Sequence, residues 1–309
     1  MPKKKMNLVW LVAESWRDDM LTPEIMPETW RFAQENQSFA HHYSGGNGTR
    51  MGLFSMFYGL YGSYWFPFLG LQQSPVFIDT LQQLGYQFNL HTSQSFSYPE
   101  LDKTIFSKIS RSDLHEVSEG LGWERDKKNA EEIVEFLQKG KGDAPFMVFM
   151  FFESTHARYY FPPESVIRKP YMEDLNYAVM DAKSHIVEIK NRDINASHYL
   201  DSQIGKILEA LKRQNLMEDT TVIITGDHGE EFMEKGYWGH NSSFSEEQTR
   251  VPLILHIPGK GVGRVEHMTS HLDIVPTLAP LFGVQNPPED YSLGMDLFGS
   301  KTRDYTVIT

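Results

Sequence analysis

The sequence predicts an α/β sandwich with a mostly parallel central sheet between layers of helices. Two observations carry this: short apolar runs recur along the chain, and helical patterns with apolar residues three and four apart fall between them. A third concerns the longest runs, residues 146–152 and 251–257, which are continuous rather than alternating. Strands of a parallel sheet buried on both faces read that way.

Each element follows in order. Residues 8–13 are an apolar run and the first strand, ending in Glu14. Residues 51–78 carry no charged side chain and are rich in Phe, Tyr and Trp, a length that would suit a membrane span. Gly52, Gly59, Gly62, Ser63, Pro67, Gly70 and Pro75 interrupt the stretch, so it reads as a buried helix followed by an aromatic loop. Residues 88–90, 146–152, 222–225 and 251–257 are the remaining strands. Helices are expected around Ala130, Ile133, Val134 and Leu137, then Leu200, Ile204, Ile207, Leu208 and Leu211, then Ile274, Leu278 and Leu281.

Residues 98–125 and 159–192 are weakly periodic and read as insertions over the sheet edge. No repeat or Pro/Ser-rich linker divides the chain, so residues 1–309 are read as one domain, truncated at one or both ends. Residues 305–309 look like the beginning of a strand, and the natural chain is expected to continue past them. The basic start, Lys3-Lys4-Lys5, is followed by no apolar signal core.

With 29 basic and 41 acidic residues the net charge is -12, which repels a polyphosphate backbone and argues against nucleic acid as a partner. The absence of cysteine excludes disulfides, thiolate zinc sites and a cysteine nucleophile. Metal chemistry must then use His, Asp, Glu or hydroxyl oxygens.

The strongest local signal is Val222-Ile223-Ile224-Thr225-Gly226-Asp227-His228-Gly229-Glu230, a buried strand running into a glycine-flanked acid and imidazole. Ligands gather at the carboxyl ends of parallel strands, and Asp227 and His228 offer one ion a hard oxygen and a borderline nitrogen. Glu14 ends its strand in the same way. Alone it reads as a capping or ion-paired acid; beside Asp227 and His228 it reads as a third ligand. Ser44-Gly45-Gly46-Asn47-Gly48-Thr49-Arg50 opens into the apolar helix, placing Thr49 at a helix N-terminus that favours an anion; simple N-capping is the alternative. His156 and His240 each follow a strand-end segment and could bind a phosphoryl oxygen, protonate a leaving group or hold a second metal. His271, next to Asp273, is a weaker candidate.

On these residues the chain resembles the alkaline phosphatase superfamily, in the sulfatase-like branch that contains lipoteichoic acid synthases and phosphoethanolamine transferases. The resemblance rests on the strand ending in Glu14, the Gly-Asn-Gly-Thr turn at Thr49, a helix over residues 195–211, and the Asp227-His228 block. It rests further on Thr249-Arg250-Val251-Pro252-Leu253 and Ser270-His271-Leu272-Asp273-Ile274-Val275-Pro276-Thr277. Residues 290–298, Asp-Tyr-Ser-Leu-Gly-Met-Asp-Leu-Phe, are most similar to the PbgA/YejM-type periplasmic domain, a membrane-anchored type whose own metal site looks degraded.

The resemblance implies that Glu14, Thr49, Asp227 and His228 ligate one divalent metal, zinc or manganese with magnesium a third option. It implies Thr49 as nucleophile and His156 and His240 on the substrate phosphate. A second metal has no assigned ligands. The implied activity is a phosphotransferase or phosphodiesterase working through phosphothreonine on a phospholipid head group, at the periplasmic or outer face of a bacterial cytoplasmic membrane. Tyr58, Tyr61, Tyr64, Trp65, Phe66 and Phe68 would suit a membrane interface or, alternatively, pack the core. No Cys or Ser followed by x-Pro-x-Arg surrounds Thr49, which argues against a formylglycine sulfatase. The competing expectation is a sensor domain that keeps the fold without the chemistry, in which case the four ligand side chains would point apart.

Overall fold

The computed structural model describes residues 5–140, 142, 144–175 and 181–309. From the N-terminus run β1 (Asn7–Ala13), α1 (Pro27–Glu35), β2 (Gln37–Tyr43), α2 (Thr49–Tyr58), α3 (Trp65–Leu71), α4 (Val76–Gln83) and β3 (Gln87–Thr92). Then come β4 (Leu114–Glu116), α5 (Gly122–Lys139), β5 (Phe146–Phe152), α6 (Ile186–Arg213) and β6 (Thr220–Gly226). The chain closes with β7 (Glu231–Phe232), β8 (Trp238–Gly239), α7 (Glu246–Thr249), β9 (Leu253–His256), β10 (Gly263–Ser270) and α8 (Ile274–Leu278).

Eight strands make one sheet in the order β10-β2-β9-β6-β1-β5-β3-β4, while β7 and β8 pair separately. The run β6-β1-β5-β3-β4 is parallel throughout. Side chains alternate across β1, and this alternation builds the sandwich. Leu8, Trp10 and Val12 enter one core with Phe54 and Phe57 of α2 and Ile78 of α4. Val9, Leu11 and Ala13 enter the other with Phe32 of α1, Ile133 of α5 and Ile204 of α6. The Trp10 and Phe57 rings stack at 4.3 Å, joining the central strand to the helix that begins at Thr49.

Several expectations need correction. Residues 251–257 do not form a parallel strand: β9 is shorter and antiparallel to both β6 and β2. The connection from β6 turns back at the carboxyl end of the sheet through β7, β8 and α7 without crossing to the opposite end, so the chain returns reversed. The aromatic loop after the first buried helix is instead helical, in α3, because Trp65, Phe68 and Leu69 share one face and pack inward. Of residues 98–125, Leu114–Glu116 form the edge strand β4, whereas Phe106 packs in the core on Phe57 and Phe149 and residues from Gly122 begin α5. Of residues 159–192, those at 176–180 lie outside the described residues, while Tyr159 and Leu175 form a small cluster with Ile189 of α6 and Phe232 of β7. Residues 305–309 begin no strand; Thr309 N–H donates to Gly45 O at 3.0 Å. Of the N-terminal lysines, Lys3 and Lys4 lie outside the described residues, and Lys5 Nζ donates to Leu84 O.

The strands not anticipated are β2, β4 and β10 of the main sheet and the two-residue pair β7 and β8. β4 is three residues long, and β10, Gly-Arg-Val-Glu-His-Met-Thr-Ser, is an edge strand whose first half is solvated, so neither has an apolar run to betray it.

Candidate metal and phosphate site

β1 and β6 are hydrogen-bonded neighbours in register, Ala13 opposite Gly226, so the residues that follow them, Glu14 and Asp227, emerge side by side. Both are fully buried, as is His228. Asp227 is oriented through Oδ1, which accepts from the backbone N–H groups of Ser15 at 2.9 Å and His228 at 2.8 Å. Its Oδ2 is buried without a hydrogen-bond partner. Glu14 Oε1 lies 3.1 Å from His228 Nε2 and accepts from Thr49 Oγ1 at 3.0 Å. Asp227 Oδ2 lies 3.4 Å from the same His228 nitrogen.

Thr49 reaches this cluster because α2 begins there: Gly48 is its N-cap in extended conformation, and Gly52 N–H donates to Gly48 O. The first-turn N–H groups of such a helix have no intrahelical acceptor and face the start of the axis. Thr49, Arg50 and Met51 line a cleft of about 440 Å³, shared with Glu14, His156 and His240. Oxygen or nitrogen atoms of Glu14, His156 and His240 lie within 4.8 Å of one another, and the His156 and His240 ring centroids are 5.8 Å apart. All six residues singled out for chemistry therefore meet at the carboxyl end of β1 and β6.

Electrostatics tie the buried cluster together. Burial, then the neighbouring Glu14, push Asp227 up to about 8. Burial would lower His228, but the charges of Asp227 and Glu14 outweigh it and hold the imidazole up at about 10. Burial would raise Glu14, yet the His228 hydrogen bond and the nearby imidazoles prevail and hold it near 2. The two carboxyl groups and the imidazole thus hold protons in common that a bound cation would have to displace. A divalent cation held by two carboxylates and a neutral imidazole would make the cluster neutral in sum.

The donor set fits such an ion. Ligands about 2.0–2.1 Å from a tetrahedral centre are about 3.3 Å apart, and the donor separations here are 3.0, 3.1 and 3.4 Å. The buried Asp227 Oδ2, without a hydrogen-bond partner, is the donor 3.4 Å from His228 Nε2. The side chains do not point apart as the sensor reading requires.

His271 does not join them. Its Nδ1 lies 3.3 Å from Gly52 O, its ring packs on His42 at 5.1 Å, and burial lowers it to about 3, so it is a neutral core residue behind α2. Sequence reasoning missed two polar neighbours. Gln94 Nε2 donates to Glu14 Oε2 at 3.0 Å; it lies two residues beyond β3, and the strand-end rule that found Glu14 would have reached it. Glu230 was visible in the Asp-His-Gly-Glu block, but its contact with His240 Nδ1, 2.6 Å, had no local signal.

The aromatic stretch divides. Trp65 and Tyr58 are buried core residues, and Phe68 packs on Phe54 and Tyr58. Phe66 is 63% exposed and Tyr98 65%, and both line the mouth of the cleft. Among the described residues no helix is long and apolar enough to cross a membrane.

Comparison with known proteins agrees with this architecture. Residues 6–284 match the Sulfatase family. The inner membrane protein YejM of Salmonella typhimurium is 28% identical over 280 residues, 88% of this chain and 41% of that protein. The chain spans under half the length of the curated relatives it matches. Among solved structures, the C-terminal periplasmic domain of phosphoethanolamine transferase EptC from Campylobacter jejuni superposes with a TM-score of 0.72 at 18% identity, covering 98% of this chain and 96% of that one. A protein in the alkaline phosphatase superfamily from Vibrio parahaemolyticus gives 0.69 at 20% identity, covering 98% and 72%. The fold is that of the alkaline phosphatase superfamily.

Proposed function

Because this chain belongs to the sulfatase family, and has the fold of the alkaline phosphatase superfamily, we propose that it is a metal-dependent phosphotransferase or phosphodiesterase that works through a phosphothreonine at Thr49. The observation that carries the reading is the convergence of Thr49 Oγ1, Glu14 Oε1, His228 Nε2 and Asp227 Oδ2, with separations of 3.0 to 3.4 Å between neighbours. Held by these four residues, zinc, manganese or magnesium would lower the hydroxyl pKa and offset the phosphate charge. His156 and His240, grouped with Glu14 within 4.8 Å, are assigned to the substrate phosphate and not to a second ion.

The side chains account for the remaining chemistry. Thr49 gives its proton to Glu14 Oε1, to which its hydroxyl already donates at 3.0 Å, and attacks phosphorus through Oγ1; the bond to the departing alcohol breaks as the new P–O bond forms. The first-turn N–H groups of α2 hold the phosphoryl oxygens. His156 or His240, both lining the cleft, delivers a proton to the departing oxygen. Attack on the phosphothreonine by water completes hydrolysis, and attack by an alcohol completes transfer.

For the substrate we propose a phospholipid head group, and for the setting the periplasmic or outer face of a bacterial cytoplasmic membrane. The support is the inner membrane location of YejM, the periplasmic origin of the Campylobacter domain, and the exposed aromatic pair Phe66 and Tyr98 at the cleft mouth. Residues 1–309 are read as one domain of a longer, membrane-anchored protein. The absence of a Cys or Ser followed by x-Pro-x-Arg at residue 49 still argues against formylglycine sulfatase chemistry.

The test is to incubate zinc- and manganese-loaded protein with a panel of phospholipids and a chromogenic phosphodiester, following a phosphorylated Thr49 peptide by mass spectrometry. Thr49→Ala should lose turnover about a thousandfold or more and form no adduct, while Thr49→Ser retains measurable turnover. Unchanged turnover in the alanine variant would sink the nucleophile assignment.

A further inference from the structure

Of the two ring nitrogens of His240, a residue lining the cleft, one makes no hydrogen bond to the described residues. The other, Nδ1, lies 2.6 Å from Glu230 Oε2, and Glu230 is 1% exposed. Its second oxygen, Oε1, accepts from the Tyr159 hydroxyl at 2.7 Å; that hydroxyl in turn accepts from Trp238 Nε1 at 2.9 Å. Tyr159 is fully buried, and the Glu230 backbone carbonyl is fixed by Arg17 Nη1 at 2.9 Å. The chain of donors has one direction. Trp238 can only donate, so the tyrosine oxygen is its acceptor and the tyrosine proton points to Glu230. An ionised carboxylate accepts at both oxygens, so the proton between Glu230 and His240 sits on Nδ1.

We propose that Glu230, locked by Tyr159, is the positioning residue that sets the tautomer and orientation of His240, so that Nε2 meets the bound phosphate. The role in turnover rests on the phosphotransfer reading; the tautomer does not. With Nδ1 protonated and tied back, Nε2 is free to accept a proton or, once protonated, to give it to the departing oxygen.

The network makes an isosteric substitution informative. In Glu230→Gln the tyrosine proton still needs an acceptor, so the amide oxygen turns to Tyr159 and the amide NH₂ to His240. That arrangement donates to Nδ1 and forces the proton onto Nε2. Removing the hydroxyl as well, in Glu230→Gln with Tyr159→Phe, frees the amide to rotate and return its oxygen to His240.

The experiment combines ¹⁵N NMR of the histidine rings in the zinc-loaded chain with steady-state turnover of a chromogenic phosphodiester. Wild type should show the His240 proton on Nδ1, Glu230→Gln should show it on Nε2, and the double variant should return it to Nδ1. Turnover should fall about a hundredfold in kcat in Glu230→Gln, with KM within about threefold, and recover about tenfold in the double variant. A purely structural Glu230 would make the double variant worse than the single one. A wild-type His240 bare at Nδ1, or a Glu230→Gln variant with unchanged tautomer and turnover, would overturn the proposal. Because the NMR reads the ring directly, a chain that shows the expected tautomers and turns over no phosphodiester overturns the phosphotransfer reading alone.

Discussion

Gly52, one turn into α2, lies so close to the backbone of Asp227 that a Cβ built on it would stand 2.2 Å from the Asp227 carbonyl oxygen. The same oxygen accepts from Ser44 Oγ at 2.5 Å. The turn before α2 and the turn after β6 are thereby fastened to each other, through the Ser44 hydroxyl and the close approach of Gly52 to the Asp227 carbonyl.

Gly52→Ala must push α2 away from Asp227 and carry Thr49 with it. The expected cost is about 1–3 kcal/mol of stability, the range for overpacking a close contact. Zinc affinity should fall at least about tenfold, because a ligand shifts relative to its partners. Denaturant unfolding together with zinc titration checks both; an alanine variant with wild-type stability and affinity would refute the contact.

Metal loading should be strongly pH dependent. Asp227 is raised to about 8 and His228 to about 10, so both hold their protons more tightly than free groups and a cation must displace those protons. Both groups must be deprotonated to ligate, so affinity falls as pH drops, by about two decades per pH unit below about 8. Calorimetry in buffers of differing ionisation enthalpy measures the proton count directly. A count of zero would contradict the assigned ligands, as would a chelator that leaves activity untouched.

Trp65 and Phe66 are neighbours in sequence with opposite expected phenotypes. Trp65 is fully buried, so Trp65→Ala should cost about 3–5 kcal/mol of stability. Phe66→Ala, at an exposed position, should leave stability within about 0.5 kcal/mol. It should instead reduce flotation with anionic phospholipid vesicles, and more so when combined with Tyr98→Ala. Equal flotation of the parent and the double variant would remove the structural support for a membrane-facing cleft.

Acid should destabilise the fold through buried neutral histidines. Burial is the main cause that lowers His91 to about 4; His271 lies at about 3, and His42 is also well below its usual value. Between about pH 6.5 and 4 the unfolded chain therefore binds protons that the folded chain refuses, so stability falls as pH falls through that window. Each such histidine adds about 1.4 kcal/mol per pH unit to the slope. His91→Gln should flatten urea-unfolding free energy against pH by about that amount between pH 4.5 and 6, and an unaltered slope would show that His91 is already charged in the native state.

The sequence by itself determined the α/β class, the two strands whose ends carry Glu14 and Asp227-His228, and the helix start at Thr49. These are local: a continuous apolar run, a glycine-flanked turn and a polar residue at a strand end are written within a few positions of one another. Only the tertiary structure decided which separate strand ends share a point. β1 lies next to β6 and in register with it, and this brings together residues 213 apart in number, Glu14 and Asp227. The reversed direction of β9, the partnership of Glu230 with His240, and the burial of Trp65 beside an exposed Phe66 were likewise illegible. Each depends on how far a connection travels before the chain turns back, or on how a short helix is rotated against the sheet, and neither quantity is encoded in the spacing of residues along a single element.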